Sequence, residues 1–188
     1  MNLLIIGSGG REHAIAWKVS QSSKVKNIYV APGNPGISLE EKVNLIEVDK
    51  PTTKDYINIA KEKNIDLTIV GPEAPLVDGI VDEFKKNNLK IFGPNKLAAQ
   101  LEGSKDFCKN ILNSGNVLTA KHKSFTESIS AIKYVKEQNM PIVIKADGLA
   151  AGKGVFIIDD YDKAYKLIND LFTGEIDGIK TSLIIIEE

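Results

Sequence analysis

The sequence is poor in the residues that build disulfides and transition-metal sites. It has one cysteine, Cys108, and two histidines among 188 residues. A single cysteine excludes an internal disulfide framework and is typical of a reducing compartment, so we expect a cytoplasmic protein. No group of Asp and Glu residues has the spacing of a Mg²⁺ site, so we expect no metal ligands in this chain.

Other absences narrow the choice of partner. No apolar run approaches the length of a transmembrane helix, and the N-terminal residues lack the basic segment of a signal peptide. The formal net charge is −1, which gives no bulk electrostatic attraction to nucleic acid or to an anionic membrane. We therefore expect small-molecule ligands and neither a nucleic-acid nor a membrane partner.

The first hundred residues alternate short apolar runs with amphipathic segments. This rhythm predicts an α/β fold, with a parallel sheet covered by helices on both faces. Trp17 is expected in the core, and Thr53 is expected to cap the second helix. The predicted strands are Leu3–Ile6, Asn27–Val30, Asn44–Val48, Asp66–Val70 and Lys90–Phe92, and the predicted helices are Arg11–Ser20, Thr53–Lys63 and Leu76–Lys86.

The rhythm changes after Gly103, which indicates a domain boundary near Leu101–Ser104 and two domains, 1–102 and 103–188. The last strand, Ser182–Ile186, is expected to lack sheet partners and to be prone to pairing with other chains. The predicted helices of this part are Lys105–Leu112, capped by Ser104, Thr126–Gln138 and Asp160–Phe172, and the predicted strands are Pro141–Ala146, Val155–Ile158 and Ser182–Ile186.

A glycine-rich loop lies between two of these strands, in the segment IVIKADGLAAGKG at 142–154. Small residues leave backbone N–H groups free to approach phosphate oxygens, and Lys145 and Lys153 add positive charge. The segment lacks the glycine spacing and the following helix of a Walker A motif, so the loop is predicted to cover phosphates rather than cradle them. A glycine-rich hairpin with solvated lysines is the alternative, but Lys145 in an apolar strand needs an anionic partner.

A second glycine-rich loop, Gly7–Gly10, joins the first strand to the first helix, whose N-terminus suits an anion. Glu12 stands where a dinucleotide-binding fingerprint has glycine, and no acid ends the second strand, so NAD is disfavoured. The loops Pro32–Asn34 and Gly71–Pro75 follow the second and fourth strands. All three loops are expected at one edge of the sheet, with Glu73 available to accept hydrogen bonds from hydroxyls or an amine.

Six segments together resemble the phosphoribosylamine–glycine ligase (glycinamide ribonucleotide synthetase) family of the ATP-grasp superfamily. GPEAPL together with KADGLAAGKGV is highly specific for it, whereas either glycine loop alone would be a weak signal. The resemblance implies a Rossmann-like, pre-ATP-grasp parallel sheet followed by the first part of an ATP-grasp domain. The segments are GSGGREHA at 7–14, APGNPG at 31–36, DLTIVGPEAPLVDGI at 66–80, IFGP at 91–94, QLEGSK at 100–105 and PIVIKADGLAAGKGV at 141–155.

The resemblance also implies an activity and a set of site residues. The family uses ATP and Mg²⁺ to join glycine to 5-phosphoribosylamine in purine biosynthesis, through a glycyl phosphate. Ser8 replaces the asparagine that is more usual in the first loop. By resemblance, the ATP-binding residues are Lys105, Lys145, Asp147, Gly148, Gly152, Lys153, Gly154 and Glu187, and the phosphoribosylamine-binding residues are Gly9, Gly10, Pro32, Gly33, Asn34 and Glu73.

Members of the family are more than twice as long as this chain. We expect the catalytic residues, the Mg²⁺ ligands and much of the glycine site to lie outside it, and the chain alone to be inactive unless a second polypeptide complements it. Two alternatives stay open at this point: a nucleotide- or phosphoribosyl-binding module without chemistry, and another ATP-grasp ligase such as biotin carboxylase or an aminoimidazole ribonucleotide carboxylating enzyme.

Overall fold

The computed structural model describes residues 1–150, 152–176 and 178–188. The chain divides into two compact units, Met1–Ala99 and Gln100–Glu188. Helix α5, Lys96–Gly103, was not predicted and contains the residues at which the units divide. No helix among the described residues combines the length and the apolar character needed to cross a membrane.

The first unit is built on a five-stranded parallel sheet in the order β3-β2-β1-β4-β5. The central strand β1 buries Leu4 and Ile6 in one apolar cluster and Leu3 and Ile5 in the other, so it is apolar along its length. The predicted α/β parallel sheet is confirmed. The strands are β1 Asn2–Gly7, β2 Asn27–Pro32, β3 Val43–Leu45, β4 Leu67–Val70 and β5 Ile91–Phe92, and the helices are α1 Gly10–Ser20, α2 Thr53–Glu62, α3 Glu73–Asp78 and α4 Ile80–Lys86, with a 3₁₀ turn at Ile37–Leu39.

Three local predictions in this unit were wrong. Thr52, not Thr53, caps α2, and it exchanges hydrogen bonds with Asp55 in a capping box. The predicted helix 76–86 is two helices, because Gly79 adopts the left-handed conformation at φ 97° and ends α3. Trp17 is 50% exposed, because α1 turns the small residue Ala16 toward the sheet instead.

The second unit has a four-stranded antiparallel sheet in the order β6-β9-β7-β8. Helices α7 and α8 supply Ala131, Val135, Ala164, Ile168 and Leu171 to a core with the apolar face of that sheet. The strands are β6 His122–Phe125, β7 Ile142–Ala146, β8 Val155–Ile158 and β9 Ile184–Glu187, and the helices are α6 Lys105–Ser114, α7 Ser128–Val135 and α8 Tyr161–Thr173.

The expectation that the last strand lacks partners was wrong. Strand β9 lies between β6 and β7, and its residues are all buried. The error came from β6, whose sequence HKSF has no apolar run or clear alternation and was not predicted as a strand. With β6 on one side and β7 on the other, β9 has no free hydrogen-bonding edge.

Candidate functional site

The glycine-rich loop of the second unit connects the antiparallel strands β7 and β8. Its base is closed by the amide of Ala146, which donates to the carbonyl of Gly154 at 2.9 Å. Gly148 and Gly152 have φ of 93° and 79°, and a Cβ on either would meet no atom within 4 Å. The left-handed conformation favours glycine at both positions, and the empty space beside each glycine leaves its backbone accessible to a ligand. Ala151 lies outside the described residues.

Gly154 is a glycine for a different reason. It is buried, and a Cβ there would lie 2.8 Å from Cβ of Ala150. Ala150 also accepts a hydrogen bond from the amide of Lys153 at 2.8 Å, which folds the loop back before β8 begins. Gly154 thus lets the loop pack on itself, whereas Gly148 and Gly152 keep the loop open.

Asp147, the first residue of the loop, is bound to the N-terminus of α6. Its Oδ1 accepts from the amides of Lys105 at 2.6 Å and Asp106 at 3.2 Å, and its Oδ2 accepts from Oγ of Ser104 at 3.0 Å. A carboxylate at this position satisfies the free N–H groups of the helix and interacts favourably with its dipole. Asp147 was predicted as an ATP-binding residue; in the structure it fixes the loop to α6.

The predicted ATP-binding lysines lie in the loop or on the elements next to it. Nζ of Lys105 donates to the carbonyl of Gly148 at 2.8 Å. Nζ of Lys145 donates to Oε2 of Glu187 at 2.7 Å, which supplies the anionic partner that a lysine in this strand was expected to need. Lys153 is exposed within the loop. Positive charge therefore reaches the loop from α6, from β7 and from the loop itself.

Glu187 is buried and contacts a second lysine that sequence reasoning missed. Lys109 of α6 places its Nζ 3.1 Å from Oε1 of Glu187. Among the described residues no hydrogen bond of good geometry reaches this oxygen, but the distance is short enough for an ion pair. Burial opposes the charged form of Glu187, yet the contacts with Lys145 and Lys109 outweigh it, and the pKa of Glu187 lies below its ordinary value of 4.5.

The three predicted loops of the first unit meet at the carboxyl edge of its parallel sheet. Nδ2 of Asn34 donates to the carbonyl of Ser8 at 2.7 Å, and the amide of Gly33 donates to the carbonyl of Gly7 at 3.0 Å. The peptide bond that precedes Pro32 is cis. These contacts join the loop after β2 to the loop after β1.

The third loop is joined to the first by an ion pair. Nη1 of Arg11 lies 2.9 Å from Oε1 of Glu73, the first residue of α3. The hydrogen bond from Arg11 is the main reason that the pKa of Glu73 lies below its ordinary value. Glu73 was predicted to accept hydrogen bonds from a ligand, and in the structure one of its oxygens already accepts from Arg11.

Glu12 lies buried beneath these loops, and sequence reasoning missed its part in the site. Its Oε2 accepts from the amide of Gly9, the N-cap of α1, at 2.6 Å. A Cβ at Gly71 would lie 2.0 Å from Oε1 of Glu12, and a Cβ at Gly7 would lie 2.7 Å from its Cδ. Glu12 thus fills the space between two loops and fixes the glycine turn. A glutamate three residues after an N-cap is typical of a capping box, so the position of Glu12 could have indicated this contact.

Gly10 opens α1 and faces free space. A Cβ at Gly10 would meet no atom within 4 Å, and Ser8, Gly9 and Gly10 are all exposed. This part of the loop is therefore accessible to an anion at the helix N-terminus. No group of three or more His, Cys, Asp or Glu side chains within the described part of the chain is arranged to hold a metal ion.

Comparison with known proteins agrees with this division of the chain. The family "Phosphoribosylglycinamide synthetase, N domain" matches residues 1–102, and the family "Phosphoribosylglycinamide synthetase, ATP-grasp (A) domain" matches residues 103–188. The chain belongs to the phosphoribosylglycinamide synthetase family. This finding confirms the resemblance drawn from the six sequence segments and favours it over the other ATP-grasp ligases.

Individual relatives within this family are similar over the whole chain. The phosphoribosylamine–glycine ligase of Clostridium acetobutylicum is 48% identical over 202 residues, which cover 100% of this chain and 48% of the relative. That of Pasteurella multocida is 50% identical over 188 residues, which cover 100% of this chain and 44% of the relative. The chain therefore spans less than half the length of these relatives.

Solved structures show the same fold. Phosphoribosylamine–glycine ligase from Thermotoga maritima matches with a TM-score of 0.78 at 30% identity, covering 100% of this chain and 44% of that one. The biotin carboxylase domain of the Hydrogenobacter thermophilus 2-oxoglutarate carboxylase, a complex with MgADP, ADP and bicarbonate, matches at 0.79 with 13% identity over 99% of this chain and 43% of that one. At that identity the second match shows the fold alone, and the ATP-grasp assignment rests on the family model that matches residues 103–188.

Proposed function

We propose that this chain carries two ligand sites of a phosphoribosylamine–glycine ligase. The first domain, 1–102, would hold 5-phosphoribosylamine, and the second, 103–188, would hold ATP. The reaction is the ATP-dependent ligation of glycine to 5-phosphoribosylamine, which gives glycinamide ribonucleotide, ADP and phosphate. Its ligands are the three small molecules ATP, glycine and 5-phosphoribosylamine.

The observation that carries the ATP site is the arrangement of positive charge around the open glycine loop. Lys105 contacts the loop at the carbonyl of Gly148, Lys145 stands in β7 two residues before Asp147, and Lys153 lies within the loop. Gly148 and Gly152 leave their backbone open. Exposed N–H groups beside several ammonium groups provide the donors that a polyphosphate needs.

The chemistry requires charge neutralisation more than covalent participation by the protein. A carboxylate is a poor acyl donor, so the glycine carboxylate oxygen first takes the terminal phosphoryl group of ATP, forming glycyl phosphate and ADP. The amine of phosphoribosylamine then attacks the acyl carbon, and phosphate leaves. Lys105, Lys145 and Lys153 would hold the phosphates in place and balance the negative charge during phosphoryl transfer.

Mg²⁺ accompanies ATP in the reaction of the family and would supply further charge neutralisation. The described residues do not fit such a site, because they offer no group of three or more Asp, Glu, His or Cys side chains placed to hold a metal.

The first unit suits a phosphorylated sugar. Gly9 and Gly10 leave open space at the N-terminus of α1, where a phosphate group would meet the positive end of the helix dipole and the amide of Gly10, since the amide of Gly9 already donates to Glu12. The loop Pro32, Gly33 and Asn34 and the carboxylate of Glu73 lie at the same sheet edge, where they would contact the ribose hydroxyls and the amine.

Calorimetric titration with ATP and, separately, with ribose 5-phosphate tests both sites. We expect each ligand to saturate one site on the 188-residue chain. Lys105→Met, which removes one ammonium group at the loop, should weaken ATP binding and leave ribose 5-phosphate binding unchanged. Lys166→Met, at an exposed position on α8, is the matched control and should change neither. Failure of wild-type protein to bind either ligand would contradict the proposal.

A further inference from the structure

Lys109 is the lysine of this region that neither the sequence motifs nor the proposed phosphate contacts explain. It lies in α6 and is buried. Its Nζ is 2.7 Å from Oγ1 of Thr119, 3.2 Å from the carbonyl of Ala120 and 3.1 Å from Oε1 of Glu187. Thr119 and Ala120 accept hydrogen bonds from this ammonium group, and its contact with Glu187 is an ion pair. Because Lys109 is buried and its contacts lie within the protein, it is not placed to bind a ligand directly.

The charge of Lys109 nevertheless affects Lys145, because both lysines contact the same carboxylate. Glu187 joins two lysines through different oxygens, Lys109 through Oε1 and Lys145 through Oε2. Two ammonium groups and one carboxylate leave one unneutralised positive charge in the cluster. The side chain of Lys145 is 24% exposed, against 10% for Lys109, so the excess charge is accessible through Lys145.

We infer that Lys109 is a positioning residue of the nucleotide site, which holds Glu187 by its other oxygen and keeps the cluster cationic so that Lys145 can take a phosphate group. Without Lys109, Glu187 would neutralise Lys145 completely. The inference rests on the proposed function, because the phosphate group is that of the nucleotide. Lys109 would thus contribute to the affinity for charged ligands although it is buried and does not contact the ligand.

A purely structural role for Lys109 makes a different prediction, and ligand charge separates the two. If Lys109 only completes the packing of α6, its loss should weaken ATP and uncharged adenosine alike. If it sets the charge of the cluster, its loss should weaken ATP strongly, AMP less and adenosine hardly at all. The strength of an electrostatic contribution in a partly buried site rises with ligand charge.

Calorimetry on the 188-residue chain with ATP, AMP and adenosine makes this test. Lys109→Gln removes the charge but keeps an amide that can donate to Thr119 and Ala120. Loss of one charge near the phosphates is expected to lower ATP affinity about tenfold and to change adenosine affinity less than about twofold. Lys109→Met is a second variant with the same charge change, and Lys166→Gln on exposed α8 is the control.

The double variant Lys109→Gln/Glu187→Gln restores the charge balance, since Lys145 alone again gives one positive charge. It should recover most of the ATP affinity lost in Lys109→Gln. The inference would be overturned if Lys109→Gln lost as much affinity for adenosine as for ATP. It would also be overturned if wild-type protein bound ATP and Lys109→Gln bound it equally well. Either result would leave the proposed function intact.

A readout without nucleotide keeps the two proposals separable. If wild-type protein binds no ATP, the proposed function fails, and the carbon NMR titration of the Glu187 carboxylate still tests the positioning role. Lys109→Gln should raise the pKa of Glu187, because one of its two cationic partners is lost. An unchanged titration would show that Lys109 does not act on Glu187.

Discussion

Lys145 Nζ lies 2.7 Å from Oε2 of Glu187, on the neighbouring strand of the second sheet. In the register of β7 and β9, Lys145 stands opposite Ile185 and Glu187 opposite Val143, so the two form a diagonal pair on one face. The salt bridge fixes the ammonium group of Lys145 beside strand β9.

Lys145→Met should weaken ATP binding by about tenfold or more, because it removes the accessible member of the cationic cluster. Glu187 would keep Lys109 as its partner, so the fold should persist. Calorimetry with ATP measures the affinity, and far-ultraviolet circular dichroism checks the fold. ATP affinity equal to that of wild type in a folded Lys145→Met variant would remove Lys145 from the site.

Asp147→Ala should destabilise the N-terminus of α6. The substitution leaves the amides of Lys105 and Asp106 and the hydroxyl of Ser104 without their acceptor. A lost helix cap of this kind costs about 1–3 kcal/mol. Hydrogen exchange of the α6 amides measures the loss locally. Asp159→Ala, which removes an exposed i,i+4 ion pair, should leave α6 exchange unchanged; equal effects in the two variants would argue against the cap.

Acid should destabilise the second unit in part through Glu187. Its folded pKa is below its ordinary value of 4.5, because the attraction of Lys145 and Lys109 outweighs burial. The stability that the ionised group contributes is therefore fully present above about pH 4.5 and is lost as the pH falls through the folded pKa. Thermal melts from about pH 6 down to about pH 3 should show a smaller decline for Glu187→Gln than for wild type.

The matched control for that experiment is Glu137→Gln, at an exposed position just beyond α7. The melting temperature of Glu137→Gln should fall with pH as that of wild type does, because Glu187 is intact in this variant. A Glu187→Gln variant that loses as much stability in acid as wild type would show that the ionised Glu187 does not contribute.

Two glycines of the first unit should respond in opposite ways to alanine. Gly71→Ala would place a Cβ 2.0 Å from Oε1 of buried Glu12, whereas Gly10→Ala would place a Cβ in open space. Gly71→Ala should lower the free energy of unfolding by about 1–3 kcal/mol, as overpacking does. Urea unfolding followed by the fluorescence of Trp17 measures the stability of this unit.

Gly10→Ala keeps its backbone N–H but places a methyl group in the open space at the N-terminus of α1, so it should leave that stability unchanged and weaken ribose 5-phosphate binding about tenfold by steric obstruction. Calorimetry measures the affinity. If Gly10→Ala binds the sugar phosphate as wild type does, the phosphate does not lie against the N-terminus of α1. If Gly71→Ala is as stable as wild type, Glu12 does not fill the space beneath the loop.

Sequence patterns were sufficient where structure depends on local apolar periodicity and on turn residues. The parallel strands, the cap at Ser104 and the antiparallel strands on both sides of the glycine loop followed from such patterns. They also placed the three loops of the first unit at one edge, because parallel strands share their carboxyl end. The roles of individual residues at both sites stay predictions.

What the sequence could not show depends on contacts between residues distant in the chain. Strand β6 has too little apolar character to be recognised, so its pairing with β9 was missed. Lys109 looks like an ordinary helix lysine until Glu187 is brought to it by the fold. Glu12 was seen only as a departure from a dinucleotide motif, although its carboxylate fills the space that two glycines leave.

The central claim is that two ligands bind two different units of this chain, and hydrogen exchange measured with each ligand tests it most directly. We predict that ATP slows exchange at the start of α6, in β7 and in the following glycine loop, and that ribose 5-phosphate slows exchange at 7–14 and 31–36. Protection by ATP confined to the first unit, or no protection by ATP at concentrations that saturate the calorimetric signal, would contradict the account.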